Sequence, residues 1–385
     1  MYIGIIAEWN PFHEGHRHLI RTARSLCGDA PVACAMSGAF VQRGEPAVFD
    51  KWSRARWAVR CGVSLAAELP AASVLQSADR FASAGVLLLA GLGVTHLAFG
   101  TESMEKEELL AAARWSLSED FRQRLHEALA AGVPYARAAN LAAASRFPEL
   151  EDGLSRPNNL LGIQYARTIL QYQLPVEILP VRRPADPPIS ATGIRKTIAD
   201  GMFPSFIPEE NRDELESLLT AGACTDYGRY DDACLLSARM QTKEALLQSG
   251  LFSEGLENRW HRESGCASYR DMLDAVKSRR YLYSRLRRIG AALLIGESGG
   301  RSPFAVPAAP SYARLLALRK KESALLRHAR LPVVAKFTDG LRRLPEEGKR
   351  QLLLEARTTD IQSFCMKSPV FRIGRADYIH SPEIL

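Results

Sequence analysis

Two histidines three positions apart with a glycine between them, His13-Glu14-Gly15-His16, are the residues of this sequence best placed to do chemistry. Imidazoles exchange protons and hydrogen bonds near neutral pH. The glycine lets the backbone approach a ligand with no side chain in the way. The group follows an apolar run, Ile3–Ala7, and opens a helical pattern over residues 16–27. A strand-to-helix turn of this kind presents unpaired helix N–H groups, which together with imidazoles suit a triphosphate. Pro11 and its turn fix the entry of the loop. Four letters are a weak signal alone. A zinc protease needs HExxH, and Arg17 stands where the second histidine would have to be. A metal site built from His13, His16 and His18 is the rarer alternative.

A second segment points the same way: Ser190-Ala191-Thr192-Gly193-Ile194-Arg195 follows a strand candidate and opens a helix. Ser190 can cap that helix, and its hydroxyl, that of Thr192 and the helix N–H groups can hold phosphate oxygens. Arg195 would stabilise charge on reacting phosphates. Seen alone, this is more often an ordinary capped surface helix. Its pairing with the histidine turn reverses that weighting.

The elements that must position these groups read as α/β. Strand candidates lie at 3–7, 31–36, 64–69, 94–99 and 176–181, separated by helix-length segments. That alternation predicts right-handed crossovers and a Rossmann-like, five-stranded parallel sheet, with ligands beyond the carboxyl ends of the strands. After about residue 205 helical periodicity dominates, at 213–221, 230–247, 269–294 and 310–328. Strand candidates there are few, at 332–336 and 370–373. A chain of 385 residues exceeds what one core usually organises. The expectation is a catalytic domain over 1–205 and a mainly helical domain over 206–385.

Composition narrows the class. Apolar residues are 46% and charged residues 24%, the balance of a globular chain rather than a disordered one. No apolar run reaches the ~20 residues of a membrane-spanning helix. The N-terminus carries no secretory pattern, and seven scattered cysteines with no CxxC pair predict neither a disulfide framework nor a zinc knuckle. A reducing cytoplasm is expected. Residues 1–200 are nearly balanced, with 21 basic against 20 acidic, whereas 270–350 hold 19 basic against 7 acidic. That local excess is larger than the whole chain's +7 and predicts a polyanionic partner, with a solvated helix face as the bland alternative.

The segments GIIAEWNPFHEGH, MSGAFVQRGEPAVFDKW, AAELPAASVLQSADRFA, THLAFGTES, RPNNLLGIQYA and ISATGIRK follow one another in order. In this the chain resembles the bacterial tRNA(Met) cytidine acetate ligases, within the nucleotidyltransferase superfamily marked by HxGH and an ISxTxxR-like segment. The resemblance extends through Arg279-Arg280-Tyr281-Leu282-Tyr283-Ser284-Arg285-Leu286-Arg287-Arg288 and so covers nearly the whole chain. Departures are Trp9 in place of a tyrosine, Ser64 in place of an aspartate, and a shortened segment over residues 183–189 lacking a Tyr-His-Asp.

The resemblance implies an ATP-dependent ligase that forms acetyl-adenylate and pyrophosphate, then acetylates the wobble cytidine of elongator tRNA(Met). It implies ATP, accompanied by Mg2+, as substrate, and acetate and tRNA as partners. Acetate is ionised at neutral pH, with a pKa of about 4 to 5 like that of Glu, and needs no base. The delocalised cytosine amine is a poor nucleophile, which is why the acetyl donor must be activated. ATP contacts are implied for Ala7, Glu8, Trp9, Asn10, Pro11, Phe12, His13, Glu14, Gly15, His16, Arg17, His18, Leu19 and Ile20. Gly100, Asn158 or Asn159, and Arg182 or Arg183 complete that set. His13, His16, Ser190, Thr192 and Arg195 are the expected catalytic residues. Arg43, Glu45 and Lys51 either orient substrate or belong to a surface turn, and Glu68 reads as a satisfied buried acid. Lys277, Arg279, Arg280, Tyr281, Tyr283, Arg285, Arg287 and Arg288 combine cations for phosphate with rings for stacking, as an anticodon-loop binder needs. The rival functions are a small-molecule adenylyl- or cytidylyltransferase of coenzyme synthesis and a non-catalytic RNA-binding protein.

Overall fold

The computed structural model describes residues 1–133, 135–183, 190–278, 281–296, 300–305 and 309–385. The apolar runs of the first half are strands: β1 (Ile3–Ala7), β2 (Val32–Ser37), β5 (Leu65–Leu69), β6 (His96–Thr101) and β7 (Glu177–Arg182), with a small antiparallel hairpin of β3 (Phe40–Val41) and β4 (Glu45–Pro46) after β2. The five longer strands pair in parallel in the order β5-β2-β1-β6-β7. All six residues of β2 and all five of β5 are buried. Continuous apolar runs are what a parallel sheet covered on both faces requires.

The side chains alternate between the faces. Ile3, Ile5, Cys34 and Met36 pack with Ile20, Trp57 and Ile194 on one side. Ala33, Ala35, Leu65 and Leu97 pack with Leu89, Ile163 and Ile169 on the other. The helices Glu14–Leu26, Lys51–Arg60, Ala78–Gly91 and Pro157–Gln171 lie in the crossovers the alternation predicts, and Ala191–Ala199, which supplies Ile194, follows β7. Each large apolar side chain buried this way contributes roughly 1.5–3 kcal/mol.

The sheet continues into the second half of the chain. Residues 310–328, read above as helical, form β8 (Ala313–Leu318) and a 3-10 turn. β8 lies antiparallel to β5 and carries β9 (Val333–Val334) and β10 (Glu383–Ile384) in parallel. The six residues of β8 are all buried, Arg314 among them, and so short a run matches either element by periodicity. The candidate strand at 370–373 is instead a 3-10 turn, Pro369–Phe371. The helical stretch 269–294 is two helices, Tyr269–Val276 and Tyr283–Ile295. These pack with Tyr227–Met240 around Trp260, Met272, Leu286 and Ile289. Among the described residues no helix is long and apolar enough to cross a membrane.

A buried ionic cluster joins the second half to the sheet. Lys51 Nζ lies 2.7 Å from Glu68 and 2.8 Å from Asp377, and Arg314 of β8 pairs with Asp377 and lies 3.5 Å from Glu68. Lys51 therefore belongs neither to a substrate loop nor to a surface turn: its side chain is wholly buried. Glu68 is the satisfied buried acid it was read as.

Candidate active site

His13 ends the loop after β1 and caps the Glu14–Leu26 helix. Its Nδ1 accepts the Gly15 N–H at 3.1 Å, and His16 Nδ1 accepts the His13 N–H at 3.2 Å. The rings stack with centroids 3.8 Å apart. Because each Nδ1 is an acceptor, the hydrogen bonds assign both rings to the tautomer with Nε2–H, leaving that group as a donor. Burial, reinforced by Arg183 and Arg195, lowers the His13 pKa to about 4. Burial, His13 and Arg183 hold His16 well below its ordinary value. Both imidazoles are thus neutral donors at pH 7, and the positive charge comes from the arginines. A Cβ on Gly15 would sit 2.9 Å from His13 Cε1, so any other residue there displaces the capping ring.

The rest of the loop supports these two rings. Trp9 and Phe12 are buried and meet edge to face, and Phe12 tilts against His16. Asn10 Oδ1 accepts the Val48 N–H at 2.8 Å, and Pro11 is buried beside it. Ala7 and Leu19 are partly buried against the core, which Ile20 joins fully. Glu14 and Arg17 pair with each other, Arg17 reaching on to Glu210, and His18 is exposed. Of the residues from Ala7 to Ile20, then, His13 and His16 offer side-chain donors, while Glu14, Arg17, Leu19 and Ile20 are engaged elsewhere.

Arg195 ties the second motif to the first. Its Nη1 donates to the Asn10 carbonyl at 2.9 Å and its Nη2 to Thr192 Oγ1 at 3.1 Å. Ser190 caps the Ala191–Ala199 helix, its Oγ accepting the Gly193 N–H at 3.2 Å. Residues separated by some 180 positions are therefore one cluster at the carboxyl ends of β1 and β7. Residues 184–189, which carry the shortened segment, lie outside the described residues.

Strand alternation separates Arg182 from Arg183. Arg183 runs past Gly100, where a Cβ would lie 3.1 Å from Arg183 Cγ and Cδ, and its charge is felt at both histidines. Arg182 is mostly exposed and lies 3.8 Å from Glu105. The asparagines converge on Glu102, a residue the sequence reading missed. Asn159 is fully buried; its Oδ1 accepts the Glu102 N–H and its Nδ2 donates to Ser103 Oγ and the Gly153 carbonyl. Asn158 Nδ2 donates to the Glu102 carboxylate from a half-buried position.

Arg54 was also missed. Wholly buried, it donates to the carbonyls of Glu8, Ser37, Gly38 and Phe49, so one side chain fixes the exits of β1 and β2. With Arg56 and Arg60 close by in the sequence, nothing in the pattern separates this guanidinium from a surface arginine.

The β3–β4 hairpin links this site to the basic helix Tyr283–Ile295. Gln42 N–H donates to Glu8 Oε1 at 2.7 Å. Gly44, at φ +79°, packs so closely on that helix that a Cβ would lie 2.5 Å from the Arg288 amide nitrogen. Glu45 is buried and pairs with Arg287, whereas Arg43 is exposed. Along the basic segment, Tyr281 is buried under the Arg285 guanidinium and Tyr283 donates to Asp274 under Lys277. Burial and the neighbouring Arg285 lower the Arg288 pKa to about 10. Arg279 and Arg280 lie outside the described residues. Among the described residues no group of three His, Cys, Asp or Glu is placed to hold a metal.

The family model HIGH Nucleotidyl Transferase matches residues 1–377. The tRNA(Met) cytidine acetate ligase of Acetivibrio thermocellus is 30% identical over 413 aligned residues, covering 100% of this chain and 99% of that protein. Its counterpart from Geobacillus sp. strain WCH70 is 33% identical over 362, covering 88% and 89%. The crystal structure of Thermotoga maritima TmcAL bound with alpha-thio ATP superposes with a TM-score of 0.93 at 29% identity, covering 100% of this chain and 99% of that one. The apo form of the same protein gives 0.91 at 28% identity. By the family model over residues 1–377 and by full-length relatives at 30% identity, the chain belongs to the HIGH nucleotidyl transferases and, within them, to the tRNA(Met) cytidine acetate ligase family.

Proposed function

We propose that this protein activates acetate with ATP, forming acetyl-adenylate and pyrophosphate, and passes the acetyl group to the exocyclic amine of the wobble cytidine in elongator tRNA(Met). The observation that carries the reading is the stacked, neutral His13–His16 pair flanked by Arg183 and Arg195 at the end of β1. In the first step an acetate oxygen bonds to the α-phosphorus as the bond to the β-phosphate's bridging oxygen breaks. Negative charge grows on the departing pyrophosphate. Two Nε2–H donors, two guanidiniums and a helix N-terminus are preorganised for that charge.

Within this reading Arg183 rather than Arg182 serves the nucleotide, since Arg183 lies over Gly100 and toward the histidines. Asn159 acts by holding Glu102 and the end of β6, and Asn158 is the half-exposed member available to a ligand. Ser190 and Thr192 shape the helix end that Arg195 anchors. The described residues do not fit a protein-built Mg2+ site, and magnesium is assigned to the substrate as MgATP. The basic stretch of the second half is assigned to tRNA, and the compartment to the cytoplasm, where tRNA and reduced thiols coexist; all seven cysteines are free.

The test is isotope exchange between labelled pyrophosphate and ATP. Exchange that requires acetate, followed by tRNA-dependent acetyl transfer, is the expected result. Exchange indifferent to acetate but dependent on a phosphate ester would support the small-molecule transferase instead.

A further inference from the structure

The site is built for anions, yet a carboxylate stands between its arginines. Glu8 follows β1 directly, five residues before His13. Its backbone carbonyl is fixed by Arg54 at 2.6 Å, and its Oε1 accepts the Gln42 N–H of the hairpin at 2.7 Å. Oε2 receives no hydrogen bond from any described residue, and the side chain is only partly buried. Arg43 faces it from the hairpin, Arg195 from the Ala191–Ala199 helix, Arg54 from the Lys51–Arg60 helix and Tyr165 from the Pro157–Gln171 helix. Arg195 also faces His13, so the carboxylate and the imidazole pair share one cation.

A negative group here works against both acetate and triphosphate. It is complementary to an N–H donor, and of the reactants only the cytosine amine both donates N–H and must lose a proton as it reacts. We propose that Glu8 receives the cytidine: its carboxylate accepts a hydrogen bond from the exocyclic N4–H and takes the proton released as the amide forms. This rests on the function proposed above. Carboxylates recognise cytosine through that same N4 donor elsewhere in nucleic-acid recognition. The route of approach is also built in, because the hairpin that binds Oε1 abuts the basic helix through Gly44 and the Glu45–Arg287 pair.

The step balances as follows. The amine lone pair forms the N–C bond at the acetyl carbon. The bond from that carbon to the adenylate oxygen breaks, and AMP leaves with those electrons. One N4 proton passes to Glu8 and then to water. Nothing is oxidised or reduced. Burial raises the Glu8 carboxyl above its ordinary value despite the three arginines. A base with a raised pKa is better matched to proton removal at neutral pH.

The experiment compares wild type with Glu8→Gln, whose amide oxygen can still accept the Gln42 N–H. Acetyl transfer from preformed acetyl-adenylate to tRNA is measured in single turnover, alongside acetate-dependent pyrophosphate exchange. Loss of a general base should slow transfer by about a hundredfold or more beyond any loss in exchange, which reads the ATP contact implied for the same residue. The wild-type transfer rate should also fall toward acid pH along a limb absent from the variant. A variant that transfers at the wild-type rate, that loses both steps in proportion, or that keeps the acidic limb overturns the proposal. A wild type that shows no acetate-dependent exchange overturns the underlying function instead.

Discussion

Replacing His16 in two different ways separates its two jobs. Its Nδ1 accepts the His13 N–H and so closes the cap of the Glu14–Leu26 helix, while on the function proposed above its Nε2–H donates to phosphate. Asparagine at position 16 reaches about as far as Nδ1 and can keep the cap, but it has nothing where Nε2 was. Glutamine reaches to Nε2 but forfeits the short acceptor. His16→Asn should therefore lose one transition-state donor, about 3 kcal/mol or roughly a hundredfold in the rate of pyrophosphate exchange. Its thermal midpoint should stay close to that of wild type. His16→Gln should lose a cap worth about 1 kcal/mol and retain more of the exchange rate. Exchange at saturating acetate and ATP, with a melting curve on each variant, reads both effects. Undiminished exchange in His16→Asn would remove the imidazole from the chemistry. A larger exchange loss in His16→Gln than in His16→Asn would mean that the cap, not the far nitrogen, is what catalysis needs.

Four further outcomes follow. Lys51→Ala leaves Glu68 and Asp377 buried with Arg314 as their remaining cation, and should cost about 3–5 kcal/mol of stability in denaturant titration. His13 titrates at about 4 in the folded chain against 6.5 unfolded, so the unfolded state binds the proton first as pH falls. Stability should drop between about pH 6.5 and 4, by up to roughly 3 kcal/mol from this group, and His13→Asn should flatten that slope in urea titrations. Replacing Arg279, Arg280, Arg287 and Arg288 together with alanine should weaken tRNA binding, and its salt slope should be shallower by about 0.7 to 0.9 log units for each phosphate no longer neutralised. Arg287→Ala alone should act mainly through stability, since it strands the buried Glu45, and a melting curve beside filter binding distinguishes the two.

The parallel sheet and the two capped helix starts, at His13 and Ser190, were legible because each rests on local sequence. Five apolar runs separated by helix-length segments have few solutions other than crossovers, and a strand-to-helix turn announces itself by glycine and capping residues. β8 was not legible. Its buried residues, Ala313 to Leu318, include Arg314, and only the distant partners Asp377 and Glu68 make a charge acceptable at that depth. No window around residue 314 contains them. Choosing between Arg182 and Arg183 failed for a related reason: neighbours on a strand point to opposite faces, and the sequence does not say which face the histidines occupy.

The basic segment shows where composition misleads. An excess of cations predicts a polyanion, but it treats every arginine as available. Arg287 is spent on Glu45, Arg285 covers Tyr281, and Lys277 covers Tyr283. What these interactions build is a junction: the hairpin that carries Glu45 also carries the Gln42 amide bound to Glu8. Basic helix, hairpin and the end of β1 are thus mechanically continuous through two hydrogen-bonded carboxylates, Glu45 and Glu8, neither of which a charge count distinguishes from a solvated acid. On the function proposed above, a tRNA held at the helix would meet, along that hairpin, the turn holding His13 and His16.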